Sequence, residues 1–396
     1  MKSNYRYIVK AFMAMAVIAG TTSCDDFLDR EPMSSISPET YYSTAAQLEA
    51  NLNDEYPNVL PSFGQWTYGI FGEDKGTDNQ IEVNANDRYT QDRWKVPHSE
   101  SDNWKFERIY RINFFLSEAL PKFGEDMSGS QNTISGSVAT IKHYIGEMYF
   151  LRAYEYFKKL QLFGDFPIIN QPLADEMEAL REASKRFPRN EVARFIISDL
   201  DKAYAYMSDV DMATTRINKD AAMLVKSRVA LFEATWLQNF KGTAFVPGGE
   251  GWPGASLHNN YQYPSGNLDN EVKYFLEQAV EASKLVADKY KGNLTENTGV
   301  LQQSADDPSN PYFDMFAQED LSDVKEVLLW RQYARGLSTH NINAAAGRGN
   351  YRIGLTRGFV QNFLMKDGTP VYAHGSYADG DGYYMGDKTV ADVRVN

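Results

Sequence analysis

Trp66, Trp94 and Trp252 each stand in a stretch rich in Gly, Pro, Asp, Asn or Arg. Residues of these types can hold a flat, polar-edged ligand: an indole or phenol face stacks on its apolar surface, while carboxylate, amide and guanidinium groups pair with its edge. A sugar ring offers both kinds of surface. The stretches are Phe63-Gly-Gln-Trp66, Phe71-Gly-Glu-Asp-Lys-Gly-Thr-Asp78, Arg93-Trp94, Gly251-Trp252-Pro-Gly and Gly347-Arg348-Gly349-Asn350-Tyr351. The strongest candidate contact is Trp94, with Asp78 and Arg93 as hydrogen-bonding neighbours, followed by Trp66, Trp252, Arg348 and Tyr351. For each ring the competing reading is that it packs beneath its own loop.

Cys24 carries a different chemistry. It is the chain's single cysteine, so no intrachain disulfide and no thiolate metal cluster can form. Residues 1–23 have a basic start at Lys2, Arg6 and Lys10, an apolar run from Ala11 to Gly20 and a small-residue end at Thr21-Thr22-Ser23. That is the layout of an export signal, and the apolar run is too short to span a membrane. A lone cysteine directly after such a signal resembles the acylated first residue of a mature bacterial lipoprotein, although Thr21 stands where the usual motif has Leu. No later apolar run is long enough to cross a bilayer.

Other chemistry finds little support. The histidines at 98, 143, 258, 340 and 374 never adopt the His-Glu-x-x-His spacing of a zinc hydrolase, and neither a phosphate-binding Gly-x-x-x-x-Gly-Lys-Ser/Thr loop nor a Gly-x-Ser-x-Gly nucleophile turn occurs. Glycoside hydrolysis needs two carboxylates flanking a bond, and Asp306-Asp307, Glu319-Asp320 and Asp379-Gly-Asp381 all lie in polar loops where solvated surface is the simpler reading. Asp379-Gly-Asp381 also lacks the later ligands of a calcium loop. No cofactor, metal or catalytic residue is assigned. The formal charge of −13 opposes nucleic acid, which needs clustered Lys and Arg.

Helices must position the loops. The stretch from Ile141 to Phe163 has apolar residues at Ile141, Ile145, Met148, Leu151, Tyr154, Phe157 and Leu160, and Tyr144, Tyr149, Phe150 and Tyr156 on its other faces. A helix apolar nearly all round is buried. Gly146 and Ala153 allow neighbours to approach closely, and Gly164 followed by Pro167 gives a stop. Further stripes run through Leu48, Leu52 and Tyr56; Ile109, Ile112, Leu116 and Leu120; Val192, Ile196, Leu200, Ala203 and Met207; Val225, Val229, Phe232, Trp236 and Phe240; and Val272, Leu276, Ala279, Ser283, Val286 and Tyr290. Residues 57–101 have no helical period and are too long for a mere connector. After 294 the period weakens, with an expected strand at Val327–Trp330 and an expected short helix from Leu355 to Met365.

Glu147-Met-Tyr-Phe-Leu-Arg-Ala-Tyr154 running to Phe163-Gly-Asp-Phe-Pro167 resembles the long helix of the SusD/RagB family of outer-membrane nutrient-uptake lipoproteins. Cys24-Asp-Asp-Phe-Leu-Asp29, Trp104 to Leu116, Pro188-Arg-Asn190, Arg216 to Ala222 and Leu355 to Gly368 resemble further blocks of that family, in the same order. The resemblance implies a mostly α fold of stacked antiparallel helix pairs, a degenerate tetratricopeptide-like array with long irregular loops and a less regular C-terminal region. Its divisions would be a signal peptide at 1–23, an acidic tether at 24–40, a helical domain at 41–293 and a loop-rich region at 294–396 lacking its C-terminal part. It also implies a non-catalytic surface lipoprotein, lipid-anchored at Cys24 and facing outward, which passes an oligosaccharide or other nutrient to a SusC-like TonB-dependent outer-membrane transporter. The family's ligand contacts vary between members, so none is carried over. The alternative is a helical-repeat scaffold that binds peptides or proteins at the cell surface.

The acylation reading has a direct check. Several acyl chains anchor a protein stably where one gives only marginal binding. Cys24→Ala is therefore expected to move the protein from the membrane fraction to the soluble fraction in cells lacking the transporter, and continued membrane association of that variant rejects lipid as the anchor.

Overall fold

A computed structural model describes residues 41–63, 72–81, 103–124, 126–207, 212–300, 304, 306–334, 339, 354–364 and 368–370. Residues 1–40, on which the expected signal segment, Cys24 and the expected tether fall, lie outside the described residues. The helices in chain order are α1 (Ala45–Val59), α2 (Glu107–Phe123), α3 (Val138–Phe163), α4 (Met177–Ala183), α5 (Arg189–Tyr206), α6 (Lys219–Asn239), α7 (Leu268–Tyr290), α8 (Pro311–Met315) and α9 (Arg357–Gln361). Strands β1 (Gln80–Ile81) and β2 (Gly354–Leu355) form one short antiparallel sheet. Among the described residues no helix is long and apolar enough to cross a membrane.

Local signals explain the helix ends. Thr44 caps α1 in a reciprocal pair with Gln47, and the side chains of Asn218 and Asn267 accept the backbone N–H groups of Ala221 and Asn270 at the starts of α6 and α7. At the end of α3, Gly164 adopts φ 68°, a conformation that carries little penalty only without a Cβ.

Side-chain contacts fix how the helices run. Asp54 and Glu55 meet Arg111 while Asn58 meets Arg108, so α1 and α2 are antiparallel. Gly146 lies against Ala203 and Met207, Arg152 against Asp199, and Tyr156 against Phe195, so α5 returns along α3. Arg189 pairs with Glu233 and Lys226 with Asp201, which sets α6 antiparallel to α5. Lys241–Asp269 and Lys289–Asp220 do the same for α6 and α7. The result is a layer of antiparallel pairs with α3 at its centre, packed against α1, α2 and α5.

The buried set of α3 covers all its faces, as the all-round apolar pattern requires, but it also includes His143, Glu147, Arg152, Glu155 and Lys159. On α6 the expected stripe is displaced: Val225, Phe232, Trp236 and Phe240 are half-buried, whereas Ala222, Val229, Ala230, Ala234 and Leu237 form the buried line. Helix α6 lies between α5 and α7, and small residues let both approach. On α7, Phe275, Ala279, Ala282 and Val286 are buried while Leu276 is exposed.

Two expectations near the C-terminal side are corrected. Val327–Trp330 is not a strand; no strand edge among the described residues lies beside it, and Leu328 O and Trp330 N–H are instead satisfied by the α5–α6 connection, by Asn218 and by Thr214 O. The helix expected from Leu355 to Met365 is only Arg357–Gln361, because Leu355 belongs to β2 and Thr356 caps the helix after it.

Charged clamps sit at several of the helix junctions. Arg152 grips Asp199 with two bonds of 2.6 and 2.8 Å and also donates to Asn113 Oδ1 at 2.9 Å. Arg189 holds Glu233, and Arg194 holds Glu271 at 2.7 and 2.8 Å. Burial acts to raise the Glu271 carboxyl, but hydrogen bonds from Arg194, Asn190 and Ser265 outweigh it and hold Glu271 below its usual value. A group depressed in the folded state contributes stability above its unfolded pKa, about 4.3, and loses it as pH falls through the folded value. Glu271→Gln is accordingly expected to be less stable at neutral pH and to show a shallower loss of stability on acidification below about pH 4, read from urea midpoints across pH. A Cβ at Gly146 would stand 2.9 Å from Ala203 O and from Met207 N, both backbone atoms. Gly146→Ala therefore overpacks the α3–α5 contact, with an expected cost of about 1 to 3 kcal/mol in urea unfolding.

Candidate functional site

Asp78 is exposed at the end of a turn that leads into β1. The pairing Gln80↔Leu355 and Ile81↔Gly354 brings this turn to a segment far away in the chain. Thr356 completes the junction: its N–H donates to Asn79 O at 2.9 Å, its hydroxyl donates to Asp78 O, and its Oγ1 also accepts from Phe359 N at 3.1 Å. One threonine thus caps α9 and fastens it to the Asp78 turn.

A second tie joins the same two regions at their other ends. The backbone N–H of Phe63, where residues 57–101 leave α1, donates to the Tyr333 hydroxyl at 3.4 Å. Tyr333 follows Trp330, whose indole N–H donates to Thr214 Oγ1 at 2.8 Å. Behind them, Arg216 binds Glu147 at 3.0 and 2.7 Å, Asn53 at 3.0 Å and Glu49 at 3.4 Å. Tyr56 donates its hydroxyl to Glu147 at 2.6 Å and accepts from Ile217 N at 2.9 Å. Burial first, and the Glu147 charge next, push the Tyr56 hydroxyl well above its ordinary value, so it stays protonated and donating. His143 Nε2 lies 3.0 Å from Ile217 O and 3.2 Å from Glu147 Oε1; both are acceptors, so this nitrogen carries the proton.

The expected site residues divide into three groups. Trp66, Arg93, Trp94, Arg348 and Tyr351 lie outside the described residues. Asp78 is exposed and placed as described. Trp252 is corrected: its ring is 4% exposed, its indole N–H donates to Asp165 Oδ2 at 2.8 Å, and it stacks on His258 at 5.9 Å with Tyr261 at 5.6 Å. The Gly/Pro-rich loop folds down onto the turn after α3, so this tryptophan packs the framework and offers no open face. Asp165 also receives Arg189 N at 2.9 Å, which places Trp252 at the start of α5, whereas Thr214 and Trp330 lie beyond its end. An 18-residue helix separates such points by about 27 Å.

The other described tryptophans are also engaged. Trp104 packs edge-on against Phe163 and Phe166 with Arg186 4.6 Å from its ring, and Trp236 has Arg189 at 4.1 Å and donates to Phe245 O at 3.1 Å. Sequence reasoning missed Phe63, Tyr333 and Thr356, because nothing in their neighbourhoods marks a partner almost three hundred positions away. It also missed an open cleft of about 400 Å³ beside α8. Among the described residues no group of three or more His, Cys, Asp or Glu is placed to hold a metal ion.

Comparison with known proteins gives this arrangement a context. Residues 26–231, just over half of the 396-residue chain, match the SusD-like family described as starch-binding and associating with the outer membrane. Two SusD-like proteins of Formosa agariphila, P25 and P2, are each 25% identical, over 54% and 61% of this chain and 41% and 46% of their own lengths. The chain thus spans less than half the length of these curated relatives. Two SusD-like proteins of Bacteroides fragilis, one of them described as carbohydrate-binding, share the fold with a TM-score of 0.52 at 15% and 19% identity, covering 85% and 86% of this chain and 57% of theirs. The helical array with its inserted loops, together with that match across the first half of the sequence, shows that the chain belongs to the SusD-like family.

Proposed function

We propose that this protein is an outward-facing, lipid-anchored capture subunit that binds an oligosaccharide on its loops and delivers it to a SusC-like TonB-dependent outer-membrane transporter, without itself catalysing a reaction. The observation that carries the reading is the double tie between residues 57–101 and the 333–356 region, at Phe63–Tyr333 and at β1–β2 with Thr356. Trp66, Asp78, Arg93, Trp94, Arg348 and Tyr351 all belong to those two segments. A binding site assembled from two loops on a rigid helical frame is a common design, since the frame supplies position and the loops supply chemistry. Family membership supports a carbohydrate as the ligand and the outer membrane as the location.

Among these residues Trp94 is proposed as the stacking platform, with Asp78 and Arg93 hydrogen-bonding at the ligand's edge. Trp94→Ala is expected to weaken oligosaccharide binding by about 1 to 3 kcal/mol, roughly ten- to hundredfold, by analogy with stacking on other flat ligands. Calorimetry with a panel of neutral glycans reads the affinity. A melting temperature lowered by several degrees with unchanged affinity overturns the assignment. The partnership is checked by co-purification from membranes of cells expressing the adjacent transporter, where recovery without any barrel protein counts against it.

A further inference from the structure

The cleft beside α8 is built entirely from residues 293–325, none of which belongs to the two loop segments above. Its walls are held in place. Asn310, 5% exposed, donates to Asn297 Oδ1 at 3.1 Å and Val300 O at 3.0 Å and accepts from Thr298 N, which staples the 297–300 turn to α8. Glu326 accepts from Thr295 N at 2.7 Å and ties the far wall to the near one.

Pro311, Met315 and Val324 give the cleft an apolar floor, and Met315 is 8% exposed. Around this floor stand Asn293, Asp314, Gln318, Asp323 and Lys325. A volume of about 400 Å³ falls within the range of small-ligand sites, about 300 to 1,000 Å³.

The rim selects among ligand classes. It combines one ammonium with carboxylates and amides, which disfavours a phosphate and gives no cluster for a metal. Asparagine and glutamine amides donate and accept, aspartate accepts and lysine donates, and this mixed set suits hydroxyl groups, each of which does both. A pyranose laid on the apolar surface of Pro311, Met315 and Val324 would turn its hydroxyls toward that rim. The geometry points to a second, separate binding site for a neutral oligosaccharide in the α8 cleft. This rests on the oligosaccharide reading above, but on different residues.

The test is hydrogen-exchange mass spectrometry of the full chain with and without a panel of neutral oligosaccharides, covering α-glucan, β-glucan, mannan and xylan fragments, with inorganic phosphate and an acidic peptide as further arms. At least one oligosaccharide is expected to protect residues 311–325. The double variant Gln318→Ala/Asp323→Ala is expected to weaken that protection about tenfold or more in its concentration dependence, with an unchanged melting temperature. Trp94→Ala is expected to leave it in place. Absence of protection at 311–325 by every sugar, protection by phosphate or peptide alone, or protection indifferent to the double variant overturns the inference. Sugar binding lost in Trp94→Ala but retained in the double variant leaves the loop site standing and removes the second one.

Discussion

Guanidinium groups clamped on buried carboxylates between helical elements are the interaction on which the rest of this molecule depends. Arg152–Asp199 joins α3 to α5, Arg189–Glu233 joins α5 to α6, Arg194–Glu271 reaches from α5 to α7, and Arg216–Glu147 fastens the α5–α6 connection to α3. Taking such ions out of water costs several kcal/mol each, and only close, two-pronged geometry with the remaining donors satisfied recovers it. Arg152 meets that condition through Asn113 and Asn170 O, and Arg216 through Asn53 and Glu49. Each pair also opposes sliding: a helix displaced by one turn would bury two unmatched charges. The greasy faces would tolerate that shift far better, so the charges specify the register that the apolar residues merely permit.

That register determines where the loops begin. Arg216 and Tyr56 converge on Glu147, and the same connection carries Thr214, against which Trp330 is pinned. From Trp330 the chain runs to Tyr333 and thus to Phe63. The path from a core carboxylate to the base of the candidate binding loops is therefore a sequence of paired polar groups, backed by Leu328 and Leu329 against the core.

The helices were legible in the sequence because their signals are local. Val192, Ile196, Leu200, Ala203 and Met207 repeat at helical spacing and are all buried, and Gly146 shows in its own lack of a side chain that something passes close by. The polar framework was not legible. His143, Glu147, Arg152, Glu155 and Lys159 punctuate α3 in a way that reads as a solvated edge until partners on other elements are known. Trp252 failed for a related reason: Gly and Pro correctly mark a loop, but nothing in the local stretch says that the loop folds back onto Asp165. Val327–Trp330 has a strand's composition without a neighbouring edge among the described residues, and pairing is a property of two segments.

The ties at the base of the loops also bear on the order in which the molecule is made. Phe63 and Tyr333 are 270 positions apart, and Asp78 and Thr356 are 278. Closing so long a loop in an unfolded chain is entropically unfavourable and returns only a few hydrogen bonds, so it must wait until the helices between have folded and shortened the gap. On emergence from the ribosome, α1 to α7 can assemble before the Phe63–Tyr333 and Asp78–Thr356 ties close, and this junction matures last. The same accounting runs in reverse in the finished protein. The junction of β1, β2 and Thr356 is held by a few hydrogen bonds, while the array is held by a continuous core, so the junction can open and re-form without the helices opening.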